Sequence, residues 1–222
     1  MKYLLTSGGV RNTSIHKALE ELLGKPIAEA SAVYIPTALW AKSVGPVMVA
    51  RCIRGEPGGS LCGLGWKSLG VLELTAIPSI QSDDWVSLVQ EADALLVEGG
   101  DALYLSHWMR QSGLADLLST VRPEAVYVGL SAGSMVTTPR IGEEFVGWQS
   151  PTGSDETLGL VDFSIFPHLD YPTFPENTLA HAEKWAAKLQ APGYAIDDQT
   201  AIQVVDGAVE VISEGHWKLF TP

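Results

Sequence analysis

Residues 125–135 (AVYVGLSAGSM) constrain the fold of this chain more than any other stretch. An apolar run rich in β-branched residues leads into Ser131, with Gly129 and Gly133 two positions to either side. This G-x-S-x-G pattern asks for a strand, a strained turn and then a helix. The turn is so tight that side chains at 129 and 133 would collide with the neighbouring strand and helix, which is a steric reason for both glycines. Ser131 then projects alone, beside the next amide N–H and a helix N-terminus, and both can stabilise an oxyanion. Ordinary strand-to-helix turns match the same five residues, so the surroundings have to decide.

Those surroundings alternate strands with helices. Lys2 to Thr6 reads as a first strand ending in the turn Ser7-Gly8-Gly9. A helix follows over Ser14 to Leu23, capped by Asn12 or Thr13, with Ile15, Leu19, Leu22 and Leu23 on one face. Ala32 to Ile35 is a second strand stopped by Pro36, and Pro46 to Arg54 suits a helix. Gly55 to Gly65 is irregular; Val71 to Leu74 reads as a third strand, and a helix runs from Asp83 and Asp84 through Val89. Ala94 to Val97 is a fourth strand, ending in Glu98-Gly99-Gly100-Asp101. Helices carrying Leu103, Tyr104, Leu105 and Trp108, and then Leu114 to Thr120, lead to the strand before Ser131.

This alternation implies βαβ units and a mostly parallel sheet covered on both faces, a three-layer α/β/α sandwich. Sites in such sheets lie beyond the carboxyl ends of the strands. The Gly99-Gly100-Asp101 and Ser131 turns therefore open on one edge. Beyond them, Arg140 to Glu156 reads as loops, and an apolar strand from Leu158 to Phe166 delivers His168 just after Pro167. Pro175 to Leu189 reads as a helix. Ala195 to Asp198 and Ala201 to Val205 read as strands, and Asp206-Gly207 turns into Val209 to Ile212, giving an antiparallel C-terminal edge. Residues 1–222 are expected to form one domain.

The chain is 46% apolar and 18% charged, with a net charge of −12. Nucleic acid and anionic membranes are poor partners for such an acidic chain. Two cysteines, Cys52 and Cys62, make neither a disulfide framework nor a zinc site and read as free thiols. The N-terminal apolar segment is too short for a signal peptide and no stretch reaches membrane-spanning length, so a cytoplasmic location is expected. Oligomeric state is open, a homodimer included.

Amide hydrolysis by serine requires an exposed hydroxyl, a histidine base, a carboxylate to orient it and N–H donors for the oxyanion. Ser131 and His168 supply the first two, in the order used by α/β hydrolases. His16, His107, His181 and His216 fall on predicted helices or the tail, whereas His168 follows a buried strand.

Several motifs together resemble the peptidase E family of serine peptidases. They are Gly129 to Ser134, Gly99-Gly100-Asp101, Gly159-Leu160-Val161-Asp162-Phe163 with Pro167-His168, and Tyr34-Ile35-Pro36-Thr37-Ala38. The resemblance implies a fold like class I glutamine amidotransferase domains, with Ser where those have Cys. It also implies hydrolysis of short peptides, typically dipeptides beginning with aspartate, without a cofactor. Ser131 would be the nucleophile and His168 the base, with N–H groups of Gly100 and Ala132 as oxyanion donors beside Gly99.

Asp101 departs from the family's Gly-Gly-Asn: it either hydrogen-bonds the loop or substrate or caps the following helix. The family's acid, in the segment after Ser131, corresponds to Glu143 or Glu144, with Glu144 preferred and Asp155 and Asp170 as rivals. Asp170, two residues from His168 along a strand, would share its face and shape the pocket. An aspartyl substrate asks for a cation, yet no Arg follows Arg140, and Lys184 and Lys188 fall on a predicted helix. Two other readings remain: a non-catalytic relative binding a small metabolite, and an esterase using the same triad. Gly55–Gly65 and Gly142–Ser154 are candidate lids.

Overall fold

The structure is a computed structural model that describes residues 1–56, 61–80, 83–189 and 191–222. Its first half runs β1 (Lys2–Thr6), α1 (Thr13–Leu23), β2 (Ser31–Ile35), α2 (Gly45–Ile53), β3 (Ser68–Val71), α3 (Asp84–Glu91) and β4 (Ala94–Val97). Next come α4 (Ala102–Gln111), α5 (Leu114–Leu117), β5 (Val126–Leu130) and α6 (Ala132–Met135). The last third holds β6 (Ser164–Phe166), α7 (Leu179–Leu189), β7 (Gly193–Ile196), β8 (Thr200–Val205), β9 (Ala208–Ser213) and β10 (Trp217–Phe220).

Seven strands form the main sheet in the order β3-β2-β4-β5-β1-β8-β9. The first five run parallel, while β8 and β9 add the antiparallel edge. Alternation along the central strands builds two cores. Leu4, Tyr34, Leu96, Val126 and Val128 face one way and pack on Ile15, Leu19 and Leu22 of α1. Leu5, Val33, Ile35, Leu95, Val97 and Tyr127 face the other, against Leu105 and Met109 of α4. Every side chain of β4 is buried, as a parallel strand covered on both faces requires. Asn12 caps α1 by accepting the Ile15 N–H, and Gly24 ends it at φ 69°.

A second, three-stranded sheet, β10-β7-β6, shares no strand ladder with the first, although Ile165 and Ile196 join the core that holds Leu5 and Tyr127. A third apolar cluster of Phe166, Leu169, Ala182, Trp185 and Ala195 packs α7 onto the small sheet. Among the described residues, no helix is long and apolar enough to cross a membrane.

Four expected elements are shifted, one of them the strand expected at 195–198, which is Gly193–Ile196 and joins the small sheet rather than the antiparallel edge beside β8. The third strand is Ser68–Val71 rather than 71–74, because the Thr37 hydroxyl takes the Leu74 N–H (3.1 Å) and draws the chain away from the ladder. The strand expected from Leu158 is only Ser164–Phe166. Residues 158–161 spend their amides on carbonyls just past α6 instead: Leu158 N–H on Val136, Gly159 on Thr138 and Val161 on Thr137. The last long helix starts at Leu179, and residues 175–178 belong to the turn before it.

Candidate active site

Ser131 sits between β5 and α6 with φ 48° and ψ −109°, outside the left-handed helical well and in a region that residues with a Cβ adopt only under constraint. The constraint is visible on both sides. A Cβ at Gly129 would lie 2.7 Å from the Gly133 carbonyl oxygen, and one at Gly133 would lie 2.1 Å from that of Val97. The Ser131 N–H (3.0 Å) and the Ser134 hydroxyl (2.8 Å) both donate to the Thr6 carbonyl at the end of β1. The Tyr127 hydroxyl donates to the Gly133 carbonyl at 2.7 Å. The strain of about 1–3 kcal/mol usual for such a residue is thus held by the sheet beneath it.

His168 follows β6, with φ 58°. Its Nε2 lies 2.9 Å from the Ser131 hydroxyl and its Nδ1 2.7 Å from Oδ1 of Asp198, two residues past the end of β7. The acid beside the histidine is therefore Asp198, and the expectation of Glu143 or Glu144 is corrected. Those two lie on a short turn at the surface, where Glu144 pairs with Lys188. Asp155 is also elsewhere: it pairs with Arg140 and accepts the Gly142 N–H. Asp170 is not on a strand with His168. Both residues have positive φ, in a loop, and Asp170 contacts Nε2 of His216 at 3.0 Å.

Asp198 is held from a second side by Ser7, which the sequence marks only as part of the turn after the first strand. The Ser7 hydroxyl donates to Asp198 Oδ1 (2.8 Å) and accepts the backbone N–H of His168 (2.7 Å). Next to it, a Cβ at Gly8 would come within 2.7 Å of Asp198 Cγ, so only glycine leaves room for the carboxylate. Burial by itself would raise the Asp198 pKa. Hydrogen bonds from His168 and Ser7, with the charges of His168 and Arg11, outweigh it and hold the carboxyl below its ordinary value. The signal for both residues was positional: Ser7 and Asp198 follow strands, as the Gly99 and Ser131 turns do.

The turn after β4 completes the edge. Gly100 has φ 139°, and a Cβ there would lie 2.2 Å from the Ala38 carbonyl oxygen. Gly99 packs on the Ser131 turn, its virtual Cβ 3.4 Å from that of Ser131. Among the described residues, the amides of Gly100 and Ala132 have no hydrogen-bond acceptor.

Asp101, 5% exposed, caps α4 by accepting the Leu103 and Tyr104 N–H groups on Oδ1. Its Oδ2 accepts the Trp148 N–H at 2.8 Å and lies 3.6 Å from Nζ of Lys42. Both carboxylate oxygens are engaged within the protein and the charge is matched by Lys42. The Trp148 contact also pins the 142–154 loop to this turn; of the other candidate lid, residues 57–60 lie outside the described residues.

Glu98, just before this turn, is 5% exposed. Its Oε1 accepts the Gly99 N–H at 3.1 Å, and its Oε2 faces the Tyr34 hydroxyl (3.0 Å) and the Cys52 thiol (3.4 Å). Burial pushes the Glu98 carboxyl up despite those donors, and burial and Glu98 together push the Cys52 thiol up to about 11. Cys52 and Cys62 are free thiols. Among the described residues, no group of three or more His, Cys, Asp or Glu is placed to hold a metal ion.

Several known proteins are similar to this chain. An uncharacterized peptidase of Listeria monocytogenes is 28% identical over 144 residues, 61% of this chain and 68% of that one. An uncharacterized peptidase of Pasteurella multocida is 30% identical over 56% of this chain and 61% of its own length. Peptidase E of Streptomyces coelicolor is 36% identical over 40% of this chain and 37% of its own.

The fold is shared with the crystal structure of a putative peptidase E protein from Listeria monocytogenes. That match has a TM-score of 0.67 at 22% identity and covers 96% of this chain and 98% of that one. A peptidase from an acI-B1 actinobacterium superposes with a TM-score of 0.69 at 19% identity, covering 99% of this chain and 93% of that one. The pattern of peptidase family S51 runs through residues 3–212, and the chain belongs to that family.

Proposed function

We propose that the chain is a serine peptidase of short peptides. Ser131 is the nucleophile, His168 the general base and acid, Asp198 the carboxylate that orients His168, and the amides of Gly100 and Ala132 the oxyanion donors. The observation that carries this reading is the continuous relay from Asp198 Oδ1 to His168 Nδ1 (2.7 Å) and from His168 Nε2 to the Ser131 hydroxyl (2.9 Å).

With Asp198 on Nδ1, the imidazole presents Nε2 as acceptor to the serine. Ser131 Oγ attacks the scissile carbonyl as its proton passes to Nε2. The C–O bond forms and the carbonyl π pair moves onto oxygen, facing the two unengaged amides. Collapse breaks the C–N bond, and the leaving amine takes the proton from Nε2. Water then repeats the sequence on the acyl-enzyme and releases the acid, with Asp198 ionised throughout.

The test is a fluorophosphonate probe followed by a dipeptide panel. Labelling should fall on Ser131 and vanish in Ser131→Ala, and folded wild-type protein that takes no label at neutral pH would sink the reading. An aspartyl preference has less behind it. Lys188 pairs with Glu144, Lys184 is exposed on α7 and Lys42 faces Asp101, so none of these three is a clear reader of an aspartate side chain. Comparable turnover of Asp-Leu and Ala-Leu would remove that preference.

A further inference from the structure

The proton that frees the leaving amine comes from His168 Nε2, so the residue on the C-terminal side of the cleaved bond rests beside that imidazole. Two sides of the ring's neighbourhood are already assigned. Asp198 and Ser7 occupy the Nδ1 side and Ser131 the Nε2 side. Two aromatic rings also lie beside the imidazole. The Phe174 ring centroid is 5.0 Å from that of His168, tilted by 37°, and the Tyr171 centroid is 6.0 Å away. The two rings are 6.0 Å from each other.

Phe174 remains 41% exposed. A large apolar ring beside a reactive imidazole, with much of its surface still in water, is surface that a substrate side chain can cover. The turn that carries the ring is also held in place. Tyr171 N–H donates to the His168 carbonyl, Phe174 N–H to Tyr171 and Asn177 N–H to Phe174, while Asp170 N–H returns to Asn177. The Asn177 side chain donates to the Pro167 carbonyl at 3.0 Å, tying the far end of the turn to the residue before His168. In residues 169–178, around the ring, the charged side chains are Asp170, which contacts Nε2 of His216, and Glu176.

We propose that Phe174, backed by Tyr171, is the subsite for the departing residue, and that the chain favours short peptides whose second residue is large and apolar. The proposal rests on the serine peptidase reading and names the substrate class of that site. One extra apolar group in a hydrophobic subsite is worth about 10–200-fold in kcat/KM. An open platform should give the lower end of that range.

The experiment is a panel of dipeptides with one N-terminal residue and Gly, Ala, Leu, Phe or Asp as the leaving residue. The expected result is a rise in kcat/KM on the order of 10-fold from Gly to Leu or Phe, carried mainly by KM, with Asp the poorest. In Phe174→Ala the Leu-to-Gly ratio should collapse towards one, and Phe174→Leu should keep most of it. A flat wild-type panel overturns the subsite. So does a Phe174→Ala protein that loses kcat equally on every substrate, since the ring would then only support the imidazole. Failure of the serine peptidase reading looks different: no member of the panel is cleaved and the fluorophosphonate leaves Ser131 unlabelled, which removes both proposals.

Discussion

The two halves of the site rest on different foundations. Ser131, the Gly99-Gly100 turn and Ser7 all grow from adjacent parallel strands of the seven-stranded sheet, buried on both faces. His168 and Asp198 follow β6 and β7 of the small three-stranded sheet. Ser7 crosses between them, donating to Asp198 and accepting from His168. Each half also carries a buried carboxyl, and the environments push the two apart. Glu98, boxed in by the sheet, is raised by burial, whereas Asp198, given a histidine, a hydroxyl and a nearby arginine, is lowered despite burial.

If the small-sheet half owes its chemistry to Asp198, Asp198→Asn should reduce kcat by about 10⁴-fold. Glu144→Gln and Glu143→Gln, at the surface, should stay within about twofold. Steady-state kinetics on one cleaved dipeptide checks both, and the reverse ranking would return the acid to the segment after Ser131.

The main-sheet half is sharpened at Gly100. A Cβ there would overlap the Ala38 carbonyl, so in Gly100→Ala the turn has to move and carry its amide with it. Loss of one oxyanion donor costs about 10²–10³-fold in kcat. Wild-type kcat in a folded Gly100→Ala protein would exclude this amide from the oxyanion site.

The link between the halves is weaker. Ser7→Ala should lower kcat/KM by about 10–100-fold, the usual worth of a hydrogen bond to a charged group. It also tests the pH logic. The lowered pKa of Asp198 gives stability that is present above the unfolded carboxyl range and lost as pH falls through the folded value. Without the Ser7 donor that value rises, so acid unfolding should begin at higher pH in the variant.

Glu98 has the opposite sign and the smallest effect. Its raised pKa gives stability that is full below the unfolded value of about 4.3 and is lost as pH rises through the folded one. Glu98→Gln keeps an acceptor for the Gly99 N–H but cannot ionise. Its melting temperature should therefore decline less between acid and neutral pH than that of the wild type, and identical profiles would mean that Glu98 does not titrate in that window.

Much of the main-sheet half was legible because its causes are local. The apolar run before Gly129 reads as a strand, the two glycines report a steric limit within five residues, and Asn12 announces α1 three residues ahead of the N–H it caps. His168 was visible for a similar reason, following an apolar run and Pro167. Asp198 was not: Ser7 reaches it across 191 positions and His168 across 30, and no short window contains that contact. Asp101 shows the converse. Read locally it was either a cap or a pocket residue, and the Trp148 amide 47 positions away takes the oxygen that the cap leaves.

By itself the sequence determined the alternating strands and helices, the parallel sheet they imply and the strained serine at the end of β5, since periodicity and glycine sterics act between near neighbours. Only the tertiary structure decided which carboxylate reaches His168, which hydroxyl joins the two sheets and which aromatic rings flank the imidazole. Those contacts depend on where separate strand ends come to rest. That is a property of the packed sheets and not of any one segment.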